Sequence, residues 1–149
     1  MNTKGHCFPK AIILQAVYFK LRFSLSYRDV EELMSIRGVK VDHATIQRWV
    51  FKFTPLVEQQ FRKRKKSVGK RWRMDETYVK VKGQCKYLNN IVEQDHRMIK
   101  WRIMLGLGFK EFESAKRTIS GIEVVRIIKK NQLLNPENST YKSFISLTS

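Results

Sequence analysis

Val41-Asp42-His43-Ala44-Thr45-Ile46-Gln47-Arg48-Trp49-Val50 is the stretch on which the fold turns. Asp42 is a residue type whose side chain accepts from the free N–H groups of a helix start. After it, Ile46, Trp49, Val50 and Phe53 recur at the three- and four-residue intervals of a single helical face. The helix is predicted to end at Thr54-Pro55, because proline lacks an N–H and crowds the preceding turn. Its other face carries His43, Thr45, Gln47, Arg48 and Lys52. Gln pairs with adenine and Arg with guanine in a DNA major groove, while Lys and Thr hold phosphates. The plainer alternative is a solvated polar surface.

Upstream, Ser26 followed by Asp29 has the form of a capping box. Tyr27, Val30, Leu33 and Met34 then make an apolar stripe that stops at Arg37-Gly38. Before that, Ile12, Ala16, Phe19 and Phe23 recur at helical spacing from about Pro9. Three short helices with a glycine-containing turn between the last two predict a helix-turn-helix DNA-binding domain over residues 1–61.

Downstream, residues 62–73 hold eight basic residues, no acid, and Ser67 and Gly69 in the middle, the composition of a basic linker. Arg62, Lys63, Arg64, Lys65 and Lys66 are its candidate DNA contacts. The whole chain of 149 residues has a net charge of +17, of which +4 lies before residue 62 and +13 from Arg62 onward. Such a surplus calls for a polyanion, and a hydrophobic share of 42% excludes a disordered basic tail. No apolar run reaches the roughly 18 residues of a membrane span, and the N-terminus lacks a signal peptide's layout. The chain is expected in the cytoplasm, at the nucleoid, with no membrane partner. Cys7 and Cys85 lack zinc-site spacing. An RNA-binding reading rests on charge alone, since no GXXG clamp or RNP-like strand is present.

Residues 72–81 are dense in β-branched and aromatic side chains and read as a strand with Asp75 within it. Asp75 is either an ion-pair partner or a metal ligand. Residues 89–102 read as a helix, with Leu88, Ile91, Ile99 and Ile103 toward the core. Glu93, Arg97 and Lys100 share another face, as a surface salt-bridge ladder or as a ligand followed by two DNA-gripping groups. After Gly106-Leu107-Gly108 a last helix places Phe112, Ala115, Ile119 and Ile122 inward. From Asn131 the composition turns polar, and residues 133–149 are expected to be a loose tail.

Three strings, Val41 to Val50, Met74-Asp75-Glu76-Thr77-Tyr78-Val79-Lys80-Val81 and Asn89-Asn90-Ile91-Val92-Glu93-Gln94-Asp95-His96, together resemble the DDE transposases of the insertion-sequence-six family. The resemblance runs from about Phe8 to Gln132. It implies a helix-turn-helix that binds terminal inverted repeats of double-stranded DNA, and an RNase H-like domain in which three acids hold two Mg²⁺ or Mn²⁺ ions for cleavage and strand transfer. By motif, Asp75 is the first acid and Glu93 the last, both metal ligands, with Lys100 the catalytic basic residue and Arg97 a DNA contact. The second acid has no counterpart, since only 18 residues separate Asp75 from Glu93, Glu76 falls on the strand face opposite Asp75, and none from Thr77 to Val92 is acidic. Lys86-Tyr87-Leu88 resembles both sides of the missing segment, as recombination between short similar stretches would leave it.

The expected architecture is therefore mainly α: an N-terminal helix-turn-helix, then residues 74–132 as the remnant of an α/β RNase H-like fold, one strand or hairpin plus C-terminal helices. The implied function is that of a transposase whose catalysis was lost with its central region, as a homo-oligomer or in mixed oligomers with the full-length enzyme. The alternative is an inactive sequence-specific DNA-binding protein that occupies element ends or inhibits that enzyme.

Overall fold

The computed structural model describes residues 8–23, 25–66, 74–81, 84–91 and 112–148. It is mainly α. Helices α1 (Lys10–Phe23), α2 (Tyr27–Ile36) and α3 (His43–Arg64) are followed by strands β1 (Met74–Val81) and β2 (Gln84–Ile91), then by α4 (Phe112–Lys129) and α5 (Thr140–Ser146).

Local chemistry sets the ends of the first helices. The Ser26 hydroxyl accepts from the Asp29 N–H, and the Asp29 carboxylate accepts from the Ser26 N–H at 2.7 Å, so the capping box forms in full. Gly38 takes a φ of 77°, a conformation open to residues without a Cβ, and turns the chain out of α2. Asp42 caps α3 through the Ala44 N–H at 3.0 Å. Ile46, Trp49, Val50 and Phe53 are all buried, as their spacing requires.

In contrast to the predicted stop at Thr54-Pro55, α3 runs on to Arg64. Val57 and Phe61 continue the buried stripe past the proline, and their burial outweighs the break. Arg62, Lys63 and Arg64 are thus helical, so the stretch expected as linker begins inside α3. The inward face of α1 is also rotated from the predicted one. Ile13, Leu14, Ala16, Val17, Tyr18 and Leu21 are buried, while Ile12 and Phe19 are half-buried and Phe23 is 53% exposed. The cause is that α1 is packed against α2, α3, α4 and α5 together, which needs a broader apolar face than one stripe.

The pairings Phe51 with Arg117, Thr54 with Gly121, and Lys65 with Leu133 ascend in step, so α4 runs parallel to α3. At Gly121 the two helices and α1 come so close that a Cβ would lie 2.7 Å from both Leu21 Cδ2 and Thr54 Cγ2. The tail expected to be loose is not. Asn131, at φ 60°, ends α4 and turns the chain back along the end of α3, where the Lys66 N–H donates to Gln132 O and the Leu134 N–H to Arg64 O. Helix α5 follows, capped by the Ser139 hydroxyl, and lays Phe144 against Tyr18 with ring centroids 5.4 Å apart. Leu133, Phe144 and Leu147 are buried with the side chains of α1, α3 and α4 in one core. That core joins the described residues of the first three helices to the C-terminal segment.

Strands β1 and β2 pair antiparallel, in a register that sets Met74 against Ile91, Asp75 against Asn90 and Val81 against Gln84. Residues 89–91, read from sequence as the start of a helix, are the end of β2 instead. Cross-strand pairing in this register claims their backbone groups.

Candidate nucleic-acid interface

On α3, Gln47, Arg48 and Lys52 are exposed, opposite the buried Ile46, Trp49, Val50 and Phe53. With Phe51, itself 37% exposed, they make a stripe along two turns of the helix. The Arg48 Nε donates back to Ala44 O at 3.3 Å. Thr45 is half-buried.

His43 has a different setting from its neighbours on this face. Its Nδ1 lies 2.9 Å from Glu31 Oε2 and 3.1 Å from Asp42 Oδ1, and its backbone N–H donates to the same Glu31 oxygen at 3.2 Å. Glu31 on α2 thereby ties α2 to the first turn of α3. These three residues bring possible metal-binding atoms within 4.8 Å of one another. Both carboxylates, however, already accept N–H groups at the start of α3, from His43 and from Ala44. Sequence reading took His43 as a DNA contact and missed Glu31. Nothing in the pattern of α2 announces that a residue 12 positions earlier would reach it.

The basic run leaves α3 with several of its cations engaged inside the molecule. Arg62 makes a two-pronged contact with Glu58, at 2.6 and 3.1 Å. The Arg64 Nη1 donates to Ser146 O at 2.7 Å, and the Lys66 Nζ to Asn131 O at 3.2 Å, so both hold the returning C-terminal segment. Lys63 is exposed and Lys65 half-buried.

A residue absent from the sequence-based candidates joins this face from α4. The Arg117 guanidinium lies over the Phe51 ring, 3.8 Å from its centroid, and its Nη1 donates to Phe51 O at 3.2 Å. Phe51 is four residues before Pro55, whose missing N–H leaves that carbonyl without its helical partner. Arg117 supplies the replacement. The only sequence signal for it was the proline within an apolar helical stripe.

For the implied catalytic group, the structure describes the backbone of Asp75, which pairs with Asn90. Glu93, Arg97 and Lys100 lie outside the described residues. A two-metal centre needs carboxylates from several elements. Here β1 pairs with β2, and no residue from Thr77 to Val92 is acidic. Glu76, the one other acid between Asp75 and Glu93, adjoins Asp75 on β1, and strand alternation puts it on the opposite face, so these residues do not fit the full two-metal set. Among the described residues, no helix is long and apolar enough to cross a membrane.

Residues 84–132 match the family described as DDE domain. Over 95 residues the chain is 41% identical to the transposase for insertion sequence-like element IS431mec of Staphylococcus aureus strain N315, covering 63% of this chain and 42% of that protein. The same identity and coverage hold for the transposase for insertion sequence element IS257 in transposon Tn4003 of Staphylococcus aureus. No solved structure matches the chain. The chain thus spans less than half the length of the curated relatives it matches. Over the matched residues it is similar to insertion-sequence transposases and to their DDE domain.

Proposed function

We propose that this chain is an insertion-sequence transposase derivative that binds the terminal inverted repeats of its element and no longer cuts DNA. The observation that carries the reading is the division of α3: an apolar stripe buried in the core, and Gln47, Arg48 and Lys52 exposed on the opposite side. In this reading α2, the Gly38 turn and α3 act as a helix-turn-helix, with α3 in the major groove. The first residues of β1 to the end of α4 are what is left of an RNase H-like domain after an internal deletion. Loss of catalysis is supported by the β1–β2 pairing and by the missing acid.

The test is to enrich duplexes from a random pool and to titrate the winner against a scrambled duplex of equal length at about 150 mM salt, where the phosphate contribution is common to both. A preference on the order of 10³ or more is expected, and a ratio near one would overturn the proposal. Gln47→Ala and Arg48→Ala should each remove about 1–3 kcal/mol of that discrimination at one base position. Incubation of an end-containing duplex with Mg²⁺ or Mn²⁺ should give no cleavage. Cleavage that disappears in Asp75→Asn and Glu93→Gln would instead show a working centre.

Retention of the α3 face without a complete acid set favours a second role, inhibition of a full-length transposase by occupying its ends or by mixed assembly. Co-expression should then lower the transposition frequency of an intact element, and an unchanged frequency would refute that role. Such a protein acts in the cytoplasm, at the nucleoid.

A further inference from the structure

We propose that Arg117 on α4 binds a DNA backbone phosphate, so that the interface is built from two parallel helices rather than from α3 alone. The inference rests on the α3 reading above. Its starting point is the position of Phe51, in the same exposed stripe as Gln47, one turn before it, and Lys52, beside it in sequence. A large exposed aromatic in the middle of a polar stripe is explained by what lies on it. The Arg117 guanidinium is stacked on its ring and hydrogen-bonded to its carbonyl.

That pair of contacts fixes the guanidinium plane at the edge of the α3 stripe. The Phe51 carbonyl takes one of the five N–H donors of the planar fork, a geometry suited to two phosphate oxygens at once. Because ring and carbonyl already restrict the side chain, less rotamer freedom is lost when DNA arrives than for an unattached lysine. Lys116, the preceding residue, is exposed and adds positive charge on the same turn of α4. Glu113, one turn earlier on α4 and also exposed, is the nearest acid in sequence and bounds the patch. A phosphate is favoured over a base edge because Arg117 lies on the neighbouring helix, beside the helix expected to enter the groove.

The experiment measures the affinity of the full chain for a random-sequence duplex of about 30 base pairs between about 50 and 200 mM salt, with the parent, Arg117→Lys and Arg117→Gln. Gln keeps an N–H donor for Phe51 O but has no charge. The expected result is a log–log salt slope shallower by about 0.9 for Arg117→Gln, one phosphate's worth, with the helical circular-dichroism signal retained. That is about a threefold smaller loss of affinity across the salt range. Arg117→Lys should keep the parent slope. The preference for the enriched over the scrambled duplex should be unchanged in both variants and fall only in those at Gln47 and Arg48. An Arg117→Gln slope equal to the parent's overturns the proposal. So does a slope that is equally shallow in Arg117→Lys, which would assign Arg117 to holding α3 alone. If the parent shows no sequence preference, the α3 reading fails while the salt slopes still decide the role of Arg117.

Discussion

Pro55 shows how one residue is made tolerable by another distant in sequence. Its ring removes a backbone donor from the middle of α3, and Arg117, 62 positions later, supplies one to the Phe51 carbonyl. Thr54, beside it, shows the opposite. Its hydroxyl is buried where α1, α3 and α4 meet, and among the described residues its Oγ1 has no hydrogen-bond partner. A buried hydroxyl without a partner costs on the order of 1–3 kcal/mol in desolvation. Thr54→Val keeps the shape and the β-branch and removes that group, so we predict a rise in stability of about 1 kcal/mol, read from denaturant midpoints. A loss of similar size would mean that the hydroxyl is satisfied in solution. Neither the carbonyl's replacement donor nor the orphaned hydroxyl is legible in the order of residues, because both depend on which helix lies across the gap.

Among the elements, α2 is the one most completely written in local chemistry. Its start and stop follow from Ser26, Asp29 and Gly38, and of its expected apolar stripe Val30 and Met34 are buried, Tyr27 is half-buried and Leu33 is exposed. The Ser26 backbone N–H, and then its hydroxyl, hold the Asp29 carboxyl below its ordinary value of 3.8, with Lys20 adding a smaller pull. A carboxylate depressed in the folded state stabilises fully above its unfolded value, and that contribution is lost as the pH falls through the lower folded value. The melting temperature of the parent should thus exceed that of Asp29→Asn near neutral pH, and the gap should close as the pH falls below about 3.8. A gap that stays constant into acid would remove the carboxylate from the explanation. Ser26→Ala should cost about 1 kcal/mol at neutral pH. For α3 the reading from sequence found the cap, the buried stripe and the exposed face, and placed the end ten residues too early. Proline's local preference was read correctly, but it is smaller than the burial of Val57 and Phe61 beyond it.

For the molecule as a whole, the polar composition after Asn131 concealed a segment that closes the core. Lys10 donates to Thr148 O at 2.6 Å and Arg64 to Ser146 O, so the start of α1 and the end of α3 are both tied to the end of α5 and the residues just after it. We predict that a chain ending at Asn131 loses several kcal/mol, since Leu133, Phe144 and Leu147 each contribute about 1.5–3 kcal/mol on burial. Thermal unfolding should become broad and shift down, and a midpoint equal to the parent's would refute the role given to α5. What the amino-acid order determined by itself was local or compositional: the caps and glycine turn, the apolar stripes of α2, α3 and α4, the polar face of α3, the net charge, and the motif strings that relate the chain to transposases. The packing of α4 parallel to α3, the docking of α5 and the seat of Arg117 on Phe51 were decided only by tertiary structure. Helical periodicity tells which face of a helix is apolar, but not which of several helices will cover it, and that choice depends on how all the side chains fill one core together.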